Sequence, residues 1–189
     1  MRKTAVLIYD AFCQFEISVA LEILALSGRE IVVFGKTREV VRSEEGLHIV
    51  PDKAIDELVI DDYDSLLLPG ARDIRTAIED CSIINFIRQF EGKIIGAMSI
   101  APLLLVKAGM LEGKPFMAGV NKDELLEEGF TDEQLTQMKG WTDCIEHPIE
   151  EGYILADNIV TSVAFCFIKF ELQFGKMLGI SISPKSFGL

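Results

Sequence analysis

The chain has 189 residues, of which 49% are hydrophobic and 25% are charged, and its formal net charge is −12. This length suits a single domain over residues 1–189 with one core, and the apolar content excludes an intrinsically disordered chain. The acidic charge argues against nucleic acid as a partner, because a phosphate backbone is bound by clustered Lys and Arg.

The apolar segments are too short for a membrane or a secretion signal. No stretch approaches the roughly 18 apolar residues of a membrane span, and Asp10 interrupts the apolar run near the N-terminus. We therefore expect a cytoplasmic protein that has no membrane partner. Its cysteines are expected to be reduced thiols, because they lie far apart with no Cys-x-x-Cys pair; they are Cys13, Cys81, Cys144 and Cys166.

Neither a metal site nor a cofactor is expected. The chain has only two histidines, His48 and His147, so a zinc cluster has too few ligands. It also has no Gly-x-Gly-x-x-Gly or Walker sequence, so nothing supports a nucleotide cofactor.

Short apolar strands alternate with helical segments along the first half of the chain. The predicted elements are a strand over 4–9, a helix over 15–26, a strand over 30–35, two short strands within 40–50, a strand over 65–68 and a helix over 78–90. Residues spaced three and four apart are expected to form the inward face of the first helix, namely Phe15, Val19, Ile23 and Leu26.

The second half continues the alternation. Its predicted elements are a strand over 93–98, a helix over 100–108, two short helices within 122–138, edge strands over 143–146 and 153–156, a strand over 158–161 and a helix over 163–178. This order predicts an α/β fold with a doubly wound, mainly parallel sheet and helices on both faces. Ligands bind at the carboxyl ends of such strands, in loops after Tyr9, Leu68, Met98 and Val160.

The turn at Ser99 passes directly from a buried strand into a helix. A residue at such a turn is held in a strained conformation with its side chain above the sheet. Ala97 and Ala101 provide small residues two before and two after it, which is the spacing of a Gly-x-Ser-x-Gly elbow without its glycines. Amides of the following helix would face a developing oxyanion. The alternative is that Ser99 only caps the helix.

Two other segments are predicted to approach Ser99. Glu16 lies among apolar residues at the start of the first helix, where a carboxylate is poorly solvated; the alternative is an exposed glutamate favoured by the helix dipole. The turn Pro69-Gly70-Ala71 can direct backbone N–H groups toward the same point. Cys13 belongs to the loop that carries Glu16, and it is either inert packing or a reactive thiol.

These segments resemble the DJ-1/PfpI superfamily, which has the class I glutamine amidotransferase-like fold. The resemblance covers four stretches in order: the first strand with Phe15-Glu16, the turn Leu67-Leu68-Pro69-Gly70, residues 96–113 and residues 155–162. It implies a flavodoxin-like architecture, a homodimer and a small-molecule ligand. It also implies that Glu16 matches the family glutamate that bonds the residue at the elbow.

The departures from the family pattern concern the chemistry. Ser99 stands in place of the reactive cysteine, Ala118-Gly119 stands where many members have a histidine, and Val163-Ala164-Phe165 replaces an Arg-Gly-Pro segment. A thiol near a helix N-terminus ionises at neutral pH, whereas a serine hydroxyl needs a strong base. Cysteine-dependent deglycase, glyoxalase-like or peroxide-sensing activity at residue 99 is therefore not expected.

Three functions remain open, and the sequence does not decide whether the chain is an enzyme. The first is a small-molecule hydrolase or lyase with Ser99 as nucleophile and Glu16 as acid and base. Its oxyanion donors would be the amides of Gly70, Ala71 and Ile100. The second is a non-catalytic scaffold, ligand-binding or stress-related, that has lost the reactive cysteine. The third is a redox role through Cys13.

Overall fold

The computed structural model describes residues 3–189, so Met1 and Arg2 lie outside the described part of the chain. Most strands belong to one central sheet. The strands are β1 Lys3–Leu7, β2 Ile31–Gly35, β3 Val41–Arg42, β4 His48–Ile49, β5 Lys53–Ala54, β6 Tyr63–Leu68, β7 Ile94–Met98, β8 Phe116–Met117, β9 Met138–Lys139, β10 Ile154–Ala156 and β11 Ile159–Ser162.

The central sheet has seven strands in the order β10-β11-β7-β6-β1-β2-β5, and β3–β4 and β8–β9 form separate pairs. Every neighbouring pair in the central sheet is parallel except β10–β11. The chain leaves β1 toward β2 on one side, and it leaves β6 toward β7 on the other. A crevice therefore opens at the carboxyl ends of β1 and β6, where ligands bind in doubly wound folds. The predicted fold class is confirmed.

The described residues form seven α-helices. They are α1 Ser18–Leu26, α2 Arg75–Glu79, α3 Cys81–Arg88, α4 Pro102–Lys107, α5 Lys122–Glu127, α6 Trp141–Glu146 and α7 Phe167–Met177. Helix α1 packs on α7, and α7 also packs on β7 and β11, whereas α2, α3 and α4 pack on one another. Among the described residues, none of these helices is both long and apolar enough to span a bilayer.

The contact of α7 with the sheet requires a glycine in β7. A Cβ atom on Gly96 would lie 2.8 Å from Cδ2 of Phe174 and 3.0 Å from Cζ of Phe170, closer than packed atoms allow. Both phenylalanines are fully buried. The two rings therefore lie directly on the backbone of β7, and they hold α7 beside the strand that leads into Ser99.

The first helix differs from its prediction. Residues Phe15–Ile17 form a 3₁₀ turn before α1 begins at Ser18. A 3₁₀ turn has three residues per turn, so it rotates the buried face relative to a continuous α-helix. Phe15 and Leu26 are consequently 44% and 67% exposed, and their predicted inward orientation is wrong. Ile23 is buried as predicted, and the other buried residues of this segment are Glu16, Ile17, Ala20 and Leu24.

Three other segments depart from the prediction. The helix predicted over 78–90 is two helices, because Asp80 accepts a hydrogen bond from the Ser82 amide and caps α3. The edge strand predicted over 143–146 is wrong, since these residues belong to α6, where the Asp143 carboxylate accepts from the Gly140 amide. Within 122–138 only α5 forms, and 132–137 is turn.

Candidate active site

Ser99 occupies a strained turn between β7 and α4. Its φ is +57°, a region that residues with a side chain rarely adopt. The Ser99 amide donates to the Ser162 carbonyl at 2.8 Å, and the Ser99 carbonyl accepts from the Gly119 amide at 2.7 Å. These two bonds hold the backbone of Ser99 at its N–H group and at its carbonyl group. The alternative that Ser99 caps the helix is wrong, because the N-cap of α4 is Ala101 and no side chain caps it.

Gly70 and Gly119 lie against the Ser99 side chain. A Cβ atom on Gly70 would lie 2.7 Å from Ser99 Cβ and 2.5 Å from Glu16 Oε2, and one on Gly119 would lie 2.8 Å from Ser99 Oγ. Neither position has room for a side chain. The loops after β6 and β8 therefore approach Ser99 with their backbones. Gly119 was noted in the sequence only as a missing histidine, and nothing local indicated this contact.

Glu16 is 2% exposed and lies in the 3₁₀ turn before α1. Its Oε2 accepts a hydrogen bond of 2.7 Å from the Gly70 amide. Burial raises the pKa of Glu16 to about 7, while the Gly70 amide and the Ser99 hydroxyl lower it in part. The alternative of an exposed helix-start glutamate is therefore wrong. Glu16 is a carboxyl that gains and loses its proton near neutral pH.

The three predicted oxyanion donors are not equivalent. The Gly70 amide is engaged by Glu16, which corrects the expectation that this N–H is free. The amides of Ala71 and Ile100 donate no hydrogen bond to any group in residues 3–189. They are the two backbone donors of the predicted set that remain available at this turn.

Cys13 lies in the same loop but is held as a thiol. Its side chain is 7% exposed, and its Sγ donates a 2.7 Å hydrogen bond to Glu44 Oε2. Burial, this hydrogen bond and the charge of Glu16 together raise the pKa of Cys13 far above its ordinary value. A thiolate is the reactive form of cysteine, so the redox hypothesis loses its chemical basis.

The tip of the β3–β4 hairpin lies on this loop, which the sequence did not indicate. Glu45 accepts hydrogen bonds from the amides of Gln14 at 3.2 Å and Phe15 at 3.1 Å. Glu44 and Glu45 also raise the pKa of Glu16 through their charges. The hairpin thus fixes the start of the turn that carries Glu16 and makes its surroundings more negative.

A cavity of about 200 Å³ adjoins the site at Gly119. It is lined by Gly119, Val120, Asn121, Glu124 and Trp141, and Gly119 also contacts Ser99. A larger cavity of about 520 Å³ lies between α7 and the C-terminal segment, and neither Glu16 nor Ser99 lines it. Of these two cavities, the smaller is the one that borders a residue packed against Ser99.

Replacing Glu16 by Gln is expected to change how stability depends on pH. The pKa of Glu16 is about 7 in the folded chain against an ordinary value of 4.5, so wild type loses stability as pH rises between these values, by up to about 3 kcal/mol. Glu16→Gln removes this loss, which denaturant unfolding at about pH 4.5 and pH 7.5 measures. Equal pH dependence in both proteins, with Glu16 titrating near 4.5 by carboxyl ¹³C NMR, would contradict the assignment.

Comparison with known proteins identifies the family of this chain. The chain matches the model of the DJ-1/PfpI family over residues 2–174. It is 32% identical over 123 residues to Protein/nucleic acid deglycase 2 of Escherichia coli, covering 62% of this chain and 70% of that protein. It is 21% identical over 152 residues to Glutathione-independent glyoxalase DJR-1.2 of Caenorhabditis elegans, covering 79% and 73%.

Solved structures give the same result for the fold. Drosophila melanogaster DJ-1beta superposes with a TM-score of 0.77 at 20% identity, covering 98% of this chain and 95% of that one. A DJ-1 superfamily protein from Agrobacterium tumefaciens superposes with a TM-score of 0.79 at 17% identity, covering 99% and 94%. The chain belongs to the DJ-1/PfpI family.

Proposed function

We propose that this protein is a hydrolase or lyase for a small carbonyl or acyl compound, with Ser99 and Glu16 as its catalytic pair. The observation that carries the proposal is the buried Glu16 carboxyl, whose pKa of about 7 suits a general base beside the Ser99 hydroxyl. A serine without such a base is a weak nucleophile at neutral pH.

The proposed chemistry uses three groups in sequence. Ionised Glu16 takes the hydroxyl proton as Ser99 Oγ forms a bond to the substrate carbonyl carbon. The carbonyl π electrons move to oxygen, and the amides of Ala71 and Ile100 stabilise the resulting oxyanion. When the tetrahedral intermediate of an acyl substrate collapses, the bond from the carbonyl carbon to the leaving group breaks, and Glu16 gives its proton to that group. The ionised carboxylate then takes a proton from a water whose oxygen bonds to the acyl carbon. It returns this proton to Ser99 Oγ as the bond between Oγ and the acyl carbon breaks, which releases the product and restores the hydroxyl.

The relative named glyoxalase supports a small carbonyl compound as the substrate class. The reaction differs from cysteine-dependent chemistry in its nucleophile, because Ser99 has to be deprotonated during attack whereas a thiol can be ionised beforehand. Glu16 is the carboxyl that the described residues place beside Ser99, so we propose that it serves as both base and acid.

A non-catalytic, ligand-binding scaffold is the second candidate. The observation that favours it is Gly119, which contacts Ser99 where many family members have a histidine and supplies no titratable group. The cavity beside Gly119 would then bind a small molecule without converting it.

For either function we propose a cytoplasmic homodimer, which the family resemblance implies. Light scattering that gives 21.0 kDa, the mass of one chain, would exclude the dimer.

Labelling by a neutral fluorophosphonate tests the catalytic pair directly. We expect wild type to react with a rate that rises through about pH 7, because Glu16 loses its proton there. Ser99→Ala should abolish labelling, and Glu16→Gln should slow it at least about 100-fold. Cys13→Ser is the matched control and should label like wild type. Absence of labelling in wild type between about pH 6 and pH 9 would reject the hydrolase and leave the scaffold.

A further inference from the structure

Glu171 is a buried carboxyl that the proposed chemistry does not use. It lies in α7, its side chain is 0% exposed, and neither of its oxygens has a hydrogen-bond partner within residues 3–189. A buried carboxylate without partners is strongly destabilising. An unpaired group of this kind in a folded protein requires a physical explanation.

The position of Glu171 connects it to the segment that carries Glu16. Helix α7 packs against α1 and against the 3₁₀ turn before it. The amides of Val19 and Ala20, in the first turn of α1, lower the pKa of Glu171, so they lie beside its carboxyl, although neither makes a hydrogen bond of ordinary geometry to it. Amides of a first helical turn generally have no acceptor within their own helix, and no side chain caps α1.

Glu16 is the ionisable neighbour that acts on Glu171. Its charge raises the pKa of Glu171, in addition to the larger effect of burial. The other packed elements contribute no comparable group: β7 and β11 have no titratable side chains, and Glu22 of α1 is exposed. In α7 itself, Lys169 Nζ donates a 2.6 Å hydrogen bond to the Glu150 carbonyl oxygen. Cys166, in the turn before α7, has its own pKa raised by burial.

These conditions keep Glu171 neutral when Glu16 is charged. The pKa of Glu171 is raised to about 9, against about 7 for Glu16. Between these values the two carboxyls together have one negative charge, on Glu16. A protonated carboxyl has one O–H donor and a carbonyl acceptor, so it can accept from an amide of α1 without placing a second charge in the core.

We propose that Glu171 is a positioning residue of the Ser99–Glu16 site. Its protonated carboxyl holds the first turn of α1 against α7 and thereby keeps Glu16 on the Gly70 amide. Glu16 lies only two residues before α1, so a displacement of this turn moves its carboxyl directly. Ionisation of Glu171 breaks the contact, because two charged carboxylates in one buried space repel and draw in water. The assignment of a catalytic consequence rests on the proposed function.

The effect on stability has a definite sign. Glu171 binds its proton up to a pKa of about 9 in the folded chain, whereas its ordinary value is 4.5. The folded state therefore holds the extra proton between these values, and wild type loses stability as pH rises through this window. Glu171→Gln removes the titration. Its unfolding constant should depend on pH with a slope that is lower by up to about one proton.

The experiment compares wild type, Glu171→Gln and Glu22→Gln, the last of which removes the same charge from the exposed side of α1. Carboxyl ¹³C NMR should show one carboxyl that titrates near pH 9 and is missing only in Glu171→Gln. The Gly70 amide resonance, which reports its bond to Glu16, should shift together with that titration in wild type and Glu22→Gln. In Glu171→Gln it should respond only to Glu16.

Labelling of Ser99 separates this inference from the proposed function. In wild type the labelling rate should fall above about pH 9, and Glu171→Gln should lose that fall while it keeps the rise near pH 7. If wild type is not labelled at all, the proposed function fails, and the Gly70 resonance still tests the positioning role. A Glu171 carboxyl that titrates near 4.5, or a Gly70 amide that does not respond to it, would overturn the inference.

Discussion

The hydrogen bond from the Gly70 amide to the buried Glu16 carboxyl is the contact on which the candidate site depends. It joins the loops that follow β1 and β6, the two neighbouring strands from which the chain departs in opposite directions. Burial of Glu16 follows from this joint, and the raised pKa follows from burial. The topology of the sheet and the absence of a side chain at position 70 thus produce a site whose carboxyl has a pKa near neutral pH.

The conformation of Ser99 is the second constraint. A residue with positive φ costs about 1–3 kcal/mol in strain, and hydrogen bonds to Ser162 and Gly119 hold it in place. Phe170 and Phe174 pack against the backbone of β7, and this packing holds the strand that leads into the strained residue. These constraints act on the backbone of Ser99, through its φ angle and its two backbone hydrogen bonds. In the proposed chemistry, a hydroxyl at this position requires a base, and Glu16 is the group proposed for that role.

The sequence predicts structure that depends on a local pattern. It does not predict structure that depends on packing between distant segments. Buried parallel strands are continuous apolar runs, so β1, β6 and β7 and the loops at their carboxyl ends could be predicted, together with the approach of Glu16 to Ser99. The 3₁₀ turn that rotates α1, the acidic hairpin tip at Glu45 and the contact of Gly119 depend on tertiary neighbours. Glu171 was likewise assigned no role, because an apolar helix gives no sign of which neighbour its one carboxyl faces.

An atomic-resolution crystal structure at about pH 5 and about pH 8 tests the central claim most directly. We expect Ser99 to keep a positive φ and Glu16 Oε2 to stay within about 3.0 Å of the Gly70 nitrogen at both values. The two C–O bonds of Glu16 should be unequal at the lower pH, where the carboxyl is protonated, and nearly equal at the higher. A Glu16 carboxyl turned to solvent, or Ser99 with an ordinary helical φ, would contradict the account.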